Sequence, residues 1–367
     1  MKMTMPRSLP IVILLAATTL FSACDFLGEN AEELDQNPEG VYIANQGNFS
    51  DANGTVTYYD PSTSTVERNI IPNLGSIIQS LAVRGDRGYI MSNSADRIDV
   101  FDLDQHQRVA QITDIKSPRY MEFVNDTTAY VTNQSTGTVT IINLKDNSKR
   151  NIFKVGSNPE GLTESAGKVY VANHNFGSGS TVSVINTEQK LSQDGIEVGC
   201  DGPRGMLTDK QHEVWVFCTG NTVYDENWNV VDRTDGAVRI IDPVTDEVTE
   251  EFSIDGQIST AGPGQDVFFS SRSQAAYVVV EKRKILRFDT ETNSGPSEIP
   301  IGSGDPVGAI AYSAASDLLY IGRTPGFESA GRIEQYAPGD SSVVDRFETG
   351  IAPAYIAFDR GDETIVL

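Results

Sequence analysis

The segment Tyr130-Val131-Thr132-Asn133 recurs along the chain, and its recurrence limits the fold more than any other feature. Val41-Tyr42-Ile43-Ala44-Asn45, Gly88-Tyr89-Ile90-Met91-Ser92-Asn93 and Val169-Tyr170-Val171-Ala172-Asn173 are further copies. Looser copies are Val214-Trp215-Val216-Phe217, Ala276-Tyr277-Val278-Val279 and Leu319-Tyr320-Ile321-Gly322. The aromatic anchors of these copies are spaced by 47, 41, 40, 45, 62 and 43 residues. A period of about 40–45 residues with several strand-like runs in each repeat is the mark of blades arranged radially.

The repeat beginning at Ser117 shows the content of one blade. Pro118-Arg119-Tyr120-Met121-Glu122-Phe123, Ala129-Tyr130-Val131-Thr132, Thr138-Val139-Thr140-Ile141-Ile142 and Arg150-Asn151-Ile152-Phe153 are four short runs divided by Asn, Asp, Gly and Ser. β-Branched residues between such turn formers read as a four-stranded antiparallel meander, strands a to d from the axis outward. A lone meander cannot bury both faces, so blades must stack in a ring. The chain opens on a b strand at Val41, and the last a-type run is Pro353-Ala354-Tyr355-Ile356-Ala357-Phe358. The fold expected is therefore an all-β, seven-bladed β-propeller closed by a C-terminal strand that completes blade 1. Thr364-Ile365-Val366-Leu367 looks like the start of an eighth b strand and is read as a terminal extension.

Three segments follow: 1–23, 24–39 and the propeller at 40–367. Lys2 and Arg7 precede an apolar run at 9–21, too short to span a bilayer and suited to a signal peptide. Phe21-Ser22-Ala23-Cys24 resembles a bacterial lipobox, which makes Cys24 the lipid attachment site; an ordinary cleaved signal is the alternative. The acidic tether that follows reaches on the order of 20–25 Å as a coil. The chain is therefore expected to be anchored to a membrane surface of the cell envelope and not to span it. The net charge of -23 opposes nucleic-acid binding and leaves the anchor as the membrane contact. Cys200 and Cys218 flank an a–b hairpin whose ends lie side by side. Export favours their disulfide over two free thiols.

In this strand order the d–a and b–c loops share one face. Residues beside the recurring Pro or Gly of the d–a set, namely Gln79, Arg119, Tyr120, Glu160, Arg204, Gln265 and Tyr355, are expected to ring the channel mouth as ligand contacts. The b–c loops add His174 and Phe176 in blade 4, Phe327 in blade 7, and Trp228 in an insertion at 219–235 of blade 5. Phe49 in blade 1 is placed there too; the alternative for both Phe49 and Phe176 is a ring tucked under its own loop. Aromatics on loops of a rigid scaffold point to recognition. Catalytic signals are sparse. His106 and His212 fall on the opposite face, and one histidine makes neither a metal triad nor a Ser/His/Asp set. Asp225-Glu226-Asn227-Trp228-Asn229 lacks the glycine and twelfth-position Glu of a calcium loop. No metal, no cofactor and no enzymatic activity are expected.

The repeats resemble the YVTN-type seven-bladed propeller superfamily, on Tyr130-Val131-Thr132-Asn133, Gly137-Thr138-Val139-Thr140 and Asn158-Pro159-Glu160-Gly161-Leu162. Glu39-Gly40-Val41-Tyr42-Ile43, Asn48-Phe49, Tyr58-Tyr59-Asp60-Pro61 and Ile115-Lys116-Ser117-Pro118-Arg119-Tyr120 resemble a group of Gram-negative outer-membrane lipoprotein propellers. Some of that group capture corrinoids (vitamin B12) at the cell surface for a TonB-dependent transporter. The resemblance implies a corrinoid or other polar ligand and such a transporter as partner. An envelope scaffold for another protein is the second reading. A calcium-dependent lactonase with Glu160 as metal ligand is the third.

Overall fold

The computed structural model describes residues 40–189 and 191–359. The signal segment, Cys24, the tether and Thr364-Ile365-Val366-Leu367 lie outside them. Among the described residues, seven four-stranded antiparallel sheets form the ring, as the period requires. Strand a of blades 2 to 7 is Ile78–Arg84, Pro118–Asn125, Pro159–Ser165, Pro203–Thr208, Val267–Ser270 and Val307–Ser313. In blade 1 that position is taken by Pro353–Phe358, which pairs antiparallel with Val41–Asn45 and closes the ring.

The recurring segment explains why the blades hold. Its aromatic ring is buried in every copy, from Tyr42 to Tyr320. Two of these residues also tie neighbouring blades. The Tyr42 hydroxyl donates to Leu103 O at 3.1 Å, and Tyr170 donates to Asp246 Oδ1 at 2.7 Å, each partner lying in the c–d turn of the next blade. The closing asparagine clamps strand b to strand c. Asn133 Nδ2 donates to the hydroxyls of Thr138 and Thr140 at 3.0 and 2.6 Å. Asn173 repeats this with Thr181 and Ser183, and Asn45 with Thr55 and Thr57. Blades without the asparagine use other chemistry at the same register. Ser92 Oγ donates to Asp99 in blade 2, and Arg323 pairs with Glu334 in blade 7. In blade 5 the same end of strand b carries Cys218, disulfide-bonded to Cys200.

The insertion of blade 5 is not a plain loop. Thr222–Tyr224 and Val230–Arg233 pair as a two-stranded hairpin of their own. Gln257 Nε2 donates to Asn221 O at 2.8 Å and Thr234 O at 3.1 Å, rooting its base against blade 6. At the tip, Asp225 Oδ1 accepts from the amides of Asn227 and Asn229, an Asx turn rather than a cation loop.

Candidate functional site: the loop-rich face

Two layers make up this face. The lower layer is a floor of polar side chains from the first residues of the a strands. Arg119 donates through Nε and Nη2 to the two oxygens of Glu160 at 2.8 and 2.7 Å, a fork-to-fork pair. Its Nη1 donates to Gln79 Oε1, and Gln79 Nε2 reaches Pro263 O at 2.7 Å, at the lead-in to blade 6. The Arg119 guanidinium lies 5.9 Å from the centre of the Tyr120 ring. Arg204 Nη1 stands 2.5 Å from Asp266 Oδ2, and Nη2 donates to Gly264 O at 2.9 Å. Burial opposes the Arg204 charge, and the Asp266 carboxylate overcomes it, holding the guanidinium above its ordinary range. Gln265 Oε1 accepts from Ile356 N at 3.1 Å. Tyr355 is fully buried, and that burial, with Tyr120 and Glu122 nearby, raises its pKa.

Of the floor residues expected as ligand contacts, Gln79, Arg119 and Glu160 therefore bind one another, and Arg204 pairs with Asp266. Gln79, Arg119, Tyr120, Glu160, Gln265 and Tyr355 are all buried. The space beneath them, lined by Tyr120, Arg204 and Asp266, is a cavity of about 20 Å³, room for one water molecule. Glu160 cannot serve as the metal ligand of a calcium-dependent lactonase without giving up Arg119. Among the described residues, no three of His, Cys, Asp and Glu are grouped to hold a metal ion. The donor set does not fit that ion.

The upper layer is a rim built from the b–c loops. Phe49, Phe176 and Trp228 are 65, 73 and 82% exposed. Phe327 is half-buried, its ring so close to Gly262 that a β-carbon there would stand 2.9 Å away. His174 is half-buried inside the rim, and its Nε2 lies 3.2 Å from Thr219 Oγ1. Burial, aided by Arg204 and Arg119 against Glu160, lowers its pKa to about 4, so the ring is neutral at neutral pH.

Two rim residues have a backbone that their side chains oppose. Phe176 has φ 56° and Trp228 φ 63°. This left-handed region costs a residue with a β-carbon about 1–2 kcal/mol, and Gly or Asn occupies it more readily. Neither ring recovers that cost by burial. Neither position carries a glycine, so the left-handed conformation leaves no mark in the sequence.

The fold and this face define a seven-bladed β-propeller with an ion-paired floor and an aromatic rim. The chain belongs to the family described as "Domain of unknown function (DUF5074)", whose model matches residues 39–327. No curated protein matches it. Among solved structures, it is similar to the periplasmic gluconolactonase PpgL of Pseudomonas aeruginosa, with 13% identity and a TM-score of 0.65 over 87% of this chain and 99% of that one. A candidate 6-phosphogluconolactonase of Bacteroides fragilis gives 10% identity and a TM-score of 0.61 over 87% and 98%. Kuenenia stuttgartiensis hydrazine synthase gives 16% and 0.61 over 76% and 88%. These likenesses carry the fold. They also correct the expectation of a chain without enzymatic activity: a gluconolactonase and a candidate 6-phosphogluconolactonase share this architecture, so a scaffold of this kind gives no ground for that exclusion.

Proposed function

We propose that the loop-rich face captures a ligand of mixed character, an apolar plane with a polar edge, with the rim aromatics as its contacts. The observation that carries this reading is the pair of exposed aromatic residues in left-handed backbone, Phe176 and Trp228. Each costs stability and buries little, so packing does not account for either ring. A corrinoid is the specific candidate, taken from the resemblance to outer-membrane lipoprotein propellers. It has a macrocycle for the rim and amides and a phosphate at its edge. It would lie on the rim, above the buried Arg119–Glu160 pair. Delivery to a TonB-dependent transporter and attachment through Cys24 to the outer membrane belong to the same reading. The apolar run at 9–21 leading into Ser22-Ala23-Cys24 is the sequence feature that supports the anchor.

Calorimetric titration with cyanocobalamin tests the ligand. Saturable one-to-one heat and a shifted corrinoid absorption spectrum are expected. Neither effect at micromolar protein would remove the corrinoid. Labelling of cells with a radioactive fatty acid tests the anchor, and Cys24→Ser should abolish incorporation.

A further inference from the structure

A second cavity opens at the other end of the axis, where the a strands of four consecutive blades run out. It holds about 280 Å³ and is lined by Glu122, Thr163, Glu164, Thr208, Asp209 and Gln274, with Lys210 on its wall. We propose that this cavity binds a small organic ammonium ion, a primary amine of a few carbon atoms.

Gln274 is 5% exposed, its Nε2 donates to Ser271 O, and its Oε1 has no hydrogen-bond partner. A buried carbonyl oxygen in that state calls for a donor. The carboxylates differ in what they can offer. Asp209 is engaged by its own turn, through the amides of Gln211 and Glu213 and the indole of Trp215. It supplies charge, not a vacant acceptor. Glu122 takes only a long hydrogen bond, from the Glu164 amide at 3.3 Å. Thr163 and Thr208 are linked hydroxyl to hydroxyl at 2.9 Å, and Thr208 donates onward to Glu164 O, so both keep lone pairs.

Acceptors dominate: Glu122, Glu164 and Asp209 all line the cavity against Lys210, although Glu164 Oε1 already takes the Gly167 amide at 2.8 Å. An ammonium group brings three donors, no acceptor and a positive charge, which matches that set. A bare metal ion matches it less well, because among the described residues no three ligands are grouped for one. The volume leaves room for a short carbon chain behind the charge, against Phe269.

Binding should also move a proton. Burial chiefly, with Glu164 adding to it and Arg84 opposing, pushes the Glu122 carboxyl up to about 8. Tyr355 faces the same group from the closing strand, and Asp209 and Lys210 face it across the cavity. An arriving ammonium favours the carboxylate, so Glu122 releases its proton to solvent as the cation binds.

The test is calorimetry on the full chain with 1,4-diaminobutane as probe and butane-1,4-diol as uncharged control. The diamine should give saturable one-to-one heat that varies with the ionisation enthalpy of the buffer, and the diol none. Glu122→Gln should abolish the buffer dependence. Gln274→Met should weaken binding on the order of tenfold. No saturable heat from the diamine, equal binding of the diol, or two folded variants that bind like the parent would each overturn the assignment. The opposite face is untouched by these changes, so failure here leaves the rim reading standing.

Discussion

Removing one member of the Arg119–Glu160 pair should cost far more than removing both. The pair joins blades 3 and 4, and the Arg119 and Glu160 side chains are 7% and 3% exposed. Glu160→Leu takes away two charge-assisted hydrogen bonds and leaves the guanidinium with Gln79 alone. Hydrogen bonds to charged groups are worth about 1.5–3 kcal/mol each. Two of them give a loss of about 3–6 kcal/mol, in line with the roughly 3–5 kcal/mol typical when a buried pair is broken from one side. Arg119→Met should cost a similar amount by stranding Glu160, for which Gln134 is a poor substitute at 3.4 Å. The double variant Arg119→Met/Glu160→Leu removes both charges and fills the space with apolar atoms. It should lie within about 2 kcal/mol of the parent. Urea unfolding of the four proteins, with matched slopes, completes the cycle. Single-variant losses below about 1 kcal/mol, or a double loss equal to their sum, would refute the picture of a closed ionic floor.

Four further outcomes follow from the same structure. Between its ordinary 6.5 and about 4, His174 takes up a proton in the unfolded chain but not in the folded one. Stability present above that window is therefore lost as pH falls through it, and His174→Gln should flatten this limb of a stability–pH curve. Glu122 runs the other way. Its folded value near 8 lies above the ordinary 4.5, so stability full below that window declines as pH rises through it, and Glu122→Gln should remove the decline. Replacing Cys200 and Cys218 by serine opens a link between residues 18 apart and should cost about 3 kcal/mol in the same urea assay. A chain ending before Pro353 exposes the edge of Val41–Asn45 and should elute as oligomers in light-scattering chromatography, whereas a clean monomer would show that the ring does not need this strand.

The ring was legible because its determinants are local and repeated. Each Tyr-centred run announces a b strand, and the Asn with its Thr-x-Thr partner announces the b–c pair. The floor residues were legible as positions but not as partners. Gln79, Arg119, Glu160 and Arg204 follow one another by 40, 41 and 44 residues, so the period itself sets them at one level around the axis. Side chains that close, of opposite charge, satisfy each other before any ligand. The hairpin of blade 5 was also written in the chain. Thr222-Val223-Tyr224 and Val230-Val231-Asp232-Arg233 flank Asp225, which closes the turn. The lower cavity left no such trace, because Glu122, Asp209 and Gln274 come from three blades, and nothing in the spacing marks which a strands end in carboxylates facing the axis.

The rim is the central claim, and a variant that separates contact from packing tests it most directly. Phe176→Asn/Trp228→Asn puts a residue tolerant of left-handed backbone at both positions. Cyanocobalamin titration of this variant beside the parent should show at least a tenfold loss of affinity, with a melting temperature equal to the parent's or higher. Affinity unchanged in the variant would contradict a binding role for these rings. A clear fall in melting temperature would show that they serve the fold instead.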